Sequence, residues 1–161
     1  MNFTIQRYDI IGSTNTEAAE QARRGAAEGL CVMADRQTAG RGRNGRTWVS
    51  ESGSGLYFSV VLRPHIAIET IPLITLMAGV AVCDTLVEFG VKADIKWVKD
   101  LLVDERKICG ILAETVDTDV GLAVVVGIGI NLTSRNFPDE IADSATSIES
   151  VTGKCFTASE V

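Results

Sequence analysis

A stretch of fourteen residues, from Asp35 to Trp48, constrains this chain more than any other part of its sequence. It holds four arginines and three glycines. Glycines let backbone N–H groups approach a ligand closely and adopt positive φ. Guanidinium groups are always charged and donate in a planar fork that matches phosphate or carboxylate oxygens. The stretch therefore predicts a loop that holds an anion, and the alternative is a flexible, solvated basic loop.

The charge of the whole chain argues against a large anionic partner. Its formal net charge is -6 at pH 7, whereas a nucleic-acid surface requires a broad basic face. We therefore expect a local anion site and no nucleic-acid partner. No apolar run reaches the roughly 18 residues that span a bilayer, and no signal segment is recognisable, so no membrane partner is expected. The four cysteines lie far apart, which favours a cytoplasmic location over a disulfide scaffold.

Apolar periodicity predicts a mixed α/β fold. Strands are predicted at residues 3–11, 30–34, 55–62, 93–98, 101–103, 107–116 and 122–130, and helices at 18–27 and 71–89. Gly29 and Gly90 are expected to end the two helices. The arginine-rich stretch thus lies between two strands, and residues 104–106 form a hairpin turn. After Asn131 the chain is expected to be irregular as far as Ile148.

Two capping-box spacings mark helix starts. Thr14 precedes Glu17 by three positions, which places Ser13 and Thr14 at a helix N-terminus, where hydroxyls and free N–H groups converge. These two residues are either a binding corner or simply a cap. Thr157 and Glu160 repeat the spacing, but the sequence stops one residue later, and so short a helix does not persist in water. We therefore expect the chain to be cut at the start of a helix.

Several nucleotide-binding motifs fail on their context. The glycines at 40, 42 and 45 formally match G-x-G-x-x-G, but no obvious helix follows, and the chain is in a strand where an acidic ribose ligand would appear. A P-loop is excluded because the sequence has no Gly-Lys-Ser/Thr after the glycines. A protein kinase is excluded because the sequence lacks the other kinase motifs. A single histidine argues against a histidine triad or a zinc site. An anion-holding loop without nucleophile or metal cage suits nucleotidyl transfer, which runs on positioning and charge neutralisation.

Five segments together resemble the biotin protein ligases of the biotin/lipoate ligase family. The specific one is GRGRNGRTW at 40–48. The others, in matching order and spacing, are STN at 13–15, GLYFS at 55–59, KWVKD at 96–100 with KICGIL at 107–112, and GIGIN at 127–131. The resemblance extends from residue 8 to residue 133. It implies the mixed sheet and helices of the class II synthetase-like biotin/lipoate ligase fold, with residues 1–161 as its catalytic domain.

The resemblance also implies an activity and its residues. Biotin is adenylated with ATP and Mg²⁺ to biotinyl-5'-AMP, and the biotinyl group then passes to a lysine of a biotin carboxyl carrier protein. The implied catalytic residues are Arg43, Lys107 and Arg41; the implied biotin site is Ser13, Thr14, Gln37, Gly40, Ser59, Gly110, Ile111, Leu112 and Gly127; the implied nucleotide site is Arg41, Arg43, Arg46, Trp48, Lys99 and Asn131, with Asp100 as the Mg²⁺ ligand. In these roles Lys107 meets the biotin carboxylate and the α-phosphate, Trp48 packs near the adenine, and Asn131 binds its edge.

Two features depart from the family pattern. The family commonly has Lys-Trp-Pro-Asn-Asp where this chain has KWVKD, so Lys99 replaces an asparagine that helps to place the nucleotide, while Asp100 is retained. Family members also usually continue into a small C-terminal β-barrel, and some begin with a DNA-binding winged helix. We expect both to be absent, since the resemblance begins close to Met1 and nothing of the barrel follows.

Two other functions stay open. A lipoate ligase or octanoyl transferase has the same fold, although a dense Gly-Arg loop followed by Trp48 fits the biotin branch better. The second is a truncated fragment that binds biotin or its adenylate but turns over poorly without the C-terminal part. Family members often dimerise, and an exposed sheet edge would allow a homodimer.

Overall fold

A computed structural model describes residues 2–96 and 100–161 of the chain. The strands are β1 Thr4–Ile11, β2 Leu30–Gln37, β3 Gly55–Leu62, β4 Asp94–Lys96, β5 Asp100–Val103, β6 Arg106–Thr118 and β7 Gly121–Asn131; the helices are α1 Thr14–Arg23, α2 Pro72–Glu88, α3 Asp139–Ala142 and α4 Ile148–Thr152. Single 3₁₀ turns lie at Arg43–Gly45 and Ile68–Thr70. Part of the strand predicted at 93–98, and the predicted site residue Lys99, lie outside the described residues.

The described strands form one mixed sheet, in the order β1-β2-β3-β7-β6-β5-β4. β1 and β2 are parallel and are joined by α1, whereas the other neighbouring pairs are antiparallel. The crossover through α1 brings the ends of both parallel strands and the start of the helix to one edge of the sheet. Because Ile11 is in register with Gln37, the segment that enters α1 lies beside the segment that leaves β2.

α1 and α2 pack on opposite faces of the sheet. Alternate residues of a strand face opposite sides, and β7 divides in this way: Val125 packs in a cluster with Ala18 and Ala22 of α1, while Val124 and Val126 pack in the larger cluster under α2. The alanines of α1 let that helix lie close to the sheet. Its N-terminus is therefore held directly above the strands.

Most of the predicted elements are confirmed. β3 has the predicted bounds, and the long apolar helix is α2, followed by Gly90 with φ of 82°. The hairpin between β5 and β6 turns on Asp104 and Glu105, whose φ angles of 48° and 63° are those of a tight two-residue turn that matches the twist of the strands. Among the described residues, no helix has the length and apolarity to cross a bilayer.

The predicted length of the first helix was wrong. α1 ends at Arg23 instead of residue 27, and Gly25, with φ of 91°, follows its end, so that Gly29 does not end it. Gly25 supplies the physical reason, because with its positive φ its N–H donates to Ala22 O (3.1 Å) while Ala26 N–H donates back to Gln21 O (2.9 Å), the pattern that closes a helix at a glycine. The guanidinium of Arg63 adds to this end by donating to the carbonyl oxygens of Ala22 (3.1 Å) and Ala26 (2.9 Å).

Two smaller expectations also need correction. Thr14 does not form a capping box, because it is the first helical residue and Ser13 is the N-cap, without a side-chain capping bond. The segment expected to be irregular as far as Ile148 contains the short helix α3, and α4 begins at its end, where Ser147 Oγ accepts from Ser150 N–H (3.1 Å). At the C-terminus, Thr157 N–H does donate to the Glu160 carboxylate (2.8 Å), as a capping box requires.

Candidate active site

Residues 40–48, which we call the arginine hairpin, fold into a small ordered hairpin between β2 and β3. Gly42 N–H donates to Arg46 O (2.7 Å), and Trp48 N–H donates to Gly40 O (2.9 Å). The tip is a 3₁₀ turn in which Asn44 has φ of 56°. The predicted position between two strands is confirmed, and the backbone bonds give this segment the form of a hairpin.

The arginine hairpin lies over a cleft of about 450 Å³ on the α1 face of the sheet. The lining residues come from the start of α1, the end of β2, the hairpin and the central strands: Ser13, Thr14, Asn15, Gln37, Arg41, Gly42, Arg43, Trp48, Asp100, Lys107, Gly110, Ile111, Leu112, Gly127, Ile128 and Gly129.

A hydrogen-bonded corner forms where α1 begins. Thr14 donates both its backbone N–H (2.8 Å) and its hydroxyl (3.1 Å) to Gln37 Oε1. The Gln37 amide in turn donates to Ser50 Oγ (2.8 Å). These bonds fix the polar atoms of Thr14 and Gln37 at one end of the cleft. Ser13 also lines this end, and its hydroxyl makes no hydrogen bond to the described residues, so it remains available to a ligand.

Ser59 supports this corner from within the sheet. It is 0% exposed, and its hydroxyl lies 2.6 Å from Asn15 Oδ1 and 2.8 Å from Thr14 Oγ1. Since a hydroxyl has one proton, Ser59 shares it between the two acceptors. The side chain of Asn15 continues the network, because its amide donates to Glu114 (2.9 Å) and to Leu112 O (3.2 Å).

Glycines of the central strands form the floor of the cleft. Gly110 and Gly129 are opposite one another in β6 and β7, and the ring of Trp48 covers both: a Cβ would lie 2.8 Å from Trp48 at Gly110 and 2.5 Å from it at Gly129. A Cβ on Gly127 would lie 1.8 Å from Asn15 Oδ1. Side chains do not approach so closely, so the floor requires residues without Cβ.

Lys107 brings a positive charge to the floor. Its Nζ lies 2.7 Å from Asp100 Oδ1 and 5.2 Å from the centroid of the Trp48 ring, a distance at which a cation and a ring attract. Nearby, burial raises the pKa of the Cys109 thiol well above its ordinary value, and its side chain is 0% exposed. Cys109 is therefore no thiolate nucleophile at neutral pH.

The two arginines of the hairpin that line the cleft differ in their partners. Arg41 forms an ion pair with Glu114 of β6. Arg43 is exposed and makes no ion pair within residues 2–96 and 100–161. Of these two arginines, Arg43 is the one that can meet an anionic ligand without first breaking an ion pair.

A second cavity of about 610 Å³ adjoins the first, and Trp48 and Lys107 line both. Its other walls are Thr47, Val49, Asn131, Phe137, Ile141, Ser144 and Ala145. Asn131 donates its amide to Thr146 O (3.0 Å) and to Lys107 O (3.3 Å). Lys107 N–H also donates to Ser144 O (2.8 Å). The backbone of Lys107 is therefore fixed by the segment that encloses the second cavity.

Four of the predicted site residues that the structure describes do not line the first cleft. Gly40 packs against the backbone of Trp48, since a Cβ there would lie 2.3 Å from Trp48 O, and Ser59 is buried below the corner. Arg46 lies in a separate groove beside the hairpin, Asn131 lines the second cavity, and Lys99 is not described. Ile111 borders the cleft, but its Cδ1 lies where α2 packs, 3.8 Å from a Cβ placed on Gly79.

Sequence reasoning did not assign four residues that line the cleft, Asn15, Gly42, Ile128 and Gly129, nor Glu114, which contacts two of the site residues. Asn15 and Gly129 belong to the STN and GIGIN segments, so their neighbours were identified while they were not. Glu114 carries no local signal, because its partners Arg41 and Asn15 are 73 and 99 residues away in sequence. No group of three or more histidine, cysteine, aspartate and glutamate residues suited to a metal ion occurs in the described part of the chain.

Comparison with known proteins identifies relatives of this chain. It is 43% identical over 151 residues to the bifunctional ligase/repressor BirA of Bacillus subtilis, covering 91% of this chain and 46% of the relative. It is 34% identical to the biotin--[acetyl-CoA-carboxylase] ligase of Mycobacterium tuberculosis, covering 89% of this chain and 55% of the relative. The chain thus spans about half the length of these curated relatives.

A solved structure supports the same relationship. The biotin protein ligase from Aquifex aeolicus, in complex with biotin and ATP, superimposes with a TM-score of 0.84 and 35% identity, covering 97% of this chain and 64% of the other. The predicted biotin/lipoate ligase fold is confirmed. The model of the biotin/lipoate A/B protein ligase family matches residues 8–131. This chain therefore belongs to the biotin/lipoate A/B protein ligase family.

Proposed function

We propose that this chain is the catalytic domain of a biotin protein ligase, which adenylates biotin with ATP and transfers the biotinyl group to a lysine of a biotin carboxyl carrier protein. The observation that carries the proposal is that Lys107 and Trp48 line both cavities. Two substrates that become joined need adjacent sites with a common wall, and a cation at that wall is suited to bring two anions together.

The first cavity has the chemistry that the ring system of biotin requires. A cyclic urea offers a carbonyl acceptor and two N–H donors. The corner offers the Ser13 hydroxyl, the Thr14 hydroxyl and the amide of Gln37, and hydrogen bonds already hold the last two in place. Gly110, Gly127 and Leu112 provide a close apolar surface for the fused ring and the valeryl chain.

The adenylation step follows from the charges at the shared wall. An oxygen of the biotin carboxylate attacks the α-phosphorus of ATP, a new O–P bond forms, and the bond to the β-phosphate breaks and releases pyrophosphate. Lys107, between the two cavities, neutralises the approaching carboxylate and the α-phosphate, and Arg43 holds the phosphate from the hairpin. Losing one such preorganised donor typically costs on the order of 3 kcal/mol of barrier.

Asp100 could serve as a carboxylate ligand of Mg²⁺. It is ion-paired with Lys107, and it belongs to no group of three or more histidine, cysteine, aspartate and glutamate residues suited to a metal ion among the described residues. Mg²⁺ commonly keeps several waters and uses one or two carboxylates together with substrate phosphates, so this donor set is compatible with an ion held mainly by ATP. When bound, Mg²⁺ supplies neutralisation of the phosphate charge.

The second half-reaction transfers the acyl group to the carrier. The neutral lysine amine of the carrier attacks the acyl carbon of the adenylate and forms a C–N bond, the bond from that carbon to the phosphate oxygen breaks, and AMP leaves with the electron pair. The nitrogen releases one proton to solvent, which leaves the amide. The Mycobacterium tuberculosis relative is a biotin--[acetyl-CoA-carboxylase] ligase, which supports a carboxylase carrier as acceptor. The arginine hairpin over the cleft protects the adenylate from water until the carrier arrives.

The decisive experiment is biotin-dependent exchange of pyrophosphate into ATP, run beside calorimetric titration with biotin. We expect both exchange and binding. Biotin binding without exchange would refute the ligase proposal for this chain and leave the binding fragment. Exchange with lipoate but not with biotin would refute the biotin ligase proposal in favour of a lipoate ligase. If neither exchange nor biotin binding is detected, both the biotin ligase and the biotin-binding fragment are refuted.

A further inference from the structure

Asn44 and Gly45 form the tip of the arginine hairpin, and this dipeptide is chemically labile. Both residues are exposed, and both have positive φ, of 56° and 72°. An asparagine deamidates when the backbone nitrogen of the next residue attacks its side-chain carbonyl carbon. Glycine as that next residue has no side chain to hinder the attack and has the widest backbone freedom. The tip therefore contains the two residue types that this reaction favours.

The other asparagines of the chain do not meet these conditions. Asn44 alone is followed by glycine, and the others precede phenylalanine, threonine or leucine. Three of the others also have their side-chain amides held by hydrogen bonds: Asn15 donates to Leu112 O (3.2 Å), Asn131 to Thr146 O (3.0 Å) and Asn136 to Ser54 Oγ (2.7 Å). The side chain of Asn44 makes no hydrogen bond to the described residues. Its amide is therefore free to react.

The reaction requires the peptide between Asn44 and Gly45 to rotate, and the tip permits this. Asn44 has ψ of 39°, which places the nitrogen of Gly45 nearly opposite the Asn44 Cβ about the Cα–C bond, whereas a succinimide ring needs both on the same side. A Cβ placed on Gly45 would meet no atom within 4 Å, so no neighbouring segment obstructs the rotation. An exposed turn with so few contacts opens at a low cost in free energy.

We propose that Asn44 is a deamidation site, at which the arginine hairpin gains a carboxylate without the help of an enzyme. The nitrogen of Gly45 loses its proton to hydroxide and attacks Asn44 Cγ, and the new C–N bond closes a succinimide ring. The bond from Cγ to Nδ2 breaks, and Nδ2 takes up a proton from water and leaves as ammonia. Water then opens the ring at either C–N bond, which gives aspartate or isoaspartate. The positive charges of Arg43 and Arg46 stabilise the anionic nitrogen that attacks.

The product places a negative charge among the arginines of the hairpin. Position 44 lies between Arg43 and Arg46, which are both exposed, so the new carboxylate competes with a phosphate for their guanidinium groups. Isoaspartate also adds a carbon to the main chain of the turn. Deamidation therefore converts the hairpin into a weaker anion site. The consequence for adenylation rests on the proposed ligase function, whereas the modification itself does not.

Peptide mapping of the full chain after incubation in mildly alkaline buffer tests the modification. Cleavage after glutamate releases residues 29–51, in which Asn44 is the only asparagine, and residues 115–140, in which the exposed Asn136 is an internal control. We expect peptide 29–51 to gain aspartate and isoaspartate forms, and peptide 115–140 to stay unchanged over the same period. Asn44→Gln should gain neither form, because glutamine would have to close a larger ring. Mass spectrometry follows both peptides, and an isoaspartyl methyltransferase labels the isoaspartate.

An unmodified peptide 29–51, or equal modification of peptide 115–140, would overturn the proposal. The effect on the anion site is measured by calorimetric titration of Asn44→Asp and Asn44→Gln with inorganic pyrophosphate. We expect Asn44→Asp to bind pyrophosphate on the order of fivefold more weakly than Asn44→Gln. Equal affinities, or no binding by either variant, would overturn the effect on the anion site. A wild type without biotin-dependent exchange would refute the ligase function alone, because neither the peptide map nor the titration depends on that activity.

Discussion

Gly127→Ala is the substitution with the clearest structural cost. Gly127 has no positive φ, so its backbone conformation accepts alanine, and the cost comes from space alone: the new Cβ would lie 1.8 Å from Asn15 Oδ1 and 2.7 Å from Asn15 Cγ. Asn15 must therefore move. Its movement weakens its bonds to Glu114 at 2.9 Å, to Leu112 O at 3.2 Å and to Ser59 at 2.6 Å.

The magnitude follows from these contacts. Overpacking typically costs about 1–3 kcal/mol, and each hydrogen bond contributes about 1 kcal/mol net. Because the terms are not additive, we expect the free energy of unfolding to fall by about 3 kcal/mol in urea denaturation. Biotin affinity in calorimetry should fall as well, since Asn15 is next to Thr14 in the binding corner.

Two variants separate this mechanism from a general sensitivity to alanine. Gly79→Ala, on α2, places a Cβ no nearer than 3.8 Å to any neighbour, and alanine favours helix over glycine by about 1 kcal/mol, so the protein should be as stable or more stable. In an Asn15→Ala background the new Cβ no longer meets the Asn15 side chain. Gly127→Ala should therefore reduce the free energy of unfolding by about 2 kcal/mol less than it does in the wild type. Equal costs in both backgrounds would refute the assigned contact.

Three further outcomes test other parts of the site and fold. Arg43→Gly should leave the urea midpoint unchanged and speed release of the adenylate by on the order of tenfold, because no core contact is lost; unchanged retention, followed by quench chromatography, would contradict this. Lys107→Ala should lower pyrophosphate exchange by on the order of a hundredfold, and near-normal exchange would count against its role. Hydrogen bonds, led by that from Thr133, lower the pKa of Glu149 from 4.5 to about 2; its stabilisation is therefore present above pH 4.5 and lost as the pH falls toward 2. Glu149→Gln should flatten that part of the acid unfolding curve, and a wild-type slope would show that Glu149 does not contribute.

The strands of the fold were largely predictable because their hydrophobic signals are local. β3 and β7 are continuous apolar runs, and the arginine hairpin stands between strands with glycines at its turns. The end of α1 does have a local signal in Gly25, which adopts φ of 91°, but the alanines on both sides of that glycine continue the helical pattern and conceal it. The contacts that Arg63 makes to this helix end from 41 residues away have no local signal.

The residues of the site likewise fall into those with a local sequence signal and those whose place depends on distant segments. Ser13, Thr14, Gln37, Lys107 and Gly110 converge as the family resemblance implies, since their motifs are contiguous in sequence. The burial of Ser59, the side chain of Ile111 under α2, and the pairing of Arg41 with Glu114 depend on which face of a strand a residue occupies and on what lies opposite. These facts follow from the packing of distant segments, and no single window of sequence contains them.

The separation between Asn15 and Glu114, 99 positions along the chain, has a consequence for the order of folding. The antiparallel strands β5 to β7 are joined by tight turns and can pair early, whereas contacts between distant segments must first pay the entropy of closing a long loop. We expect the binding corner to be among the last parts to form. A ligand that binds in the cleft would then bind only fully folded molecules. Its binding would raise their free energy of unfolding, and at ligand concentrations well above the dissociation constant this increase grows with the logarithm of the ligand concentration.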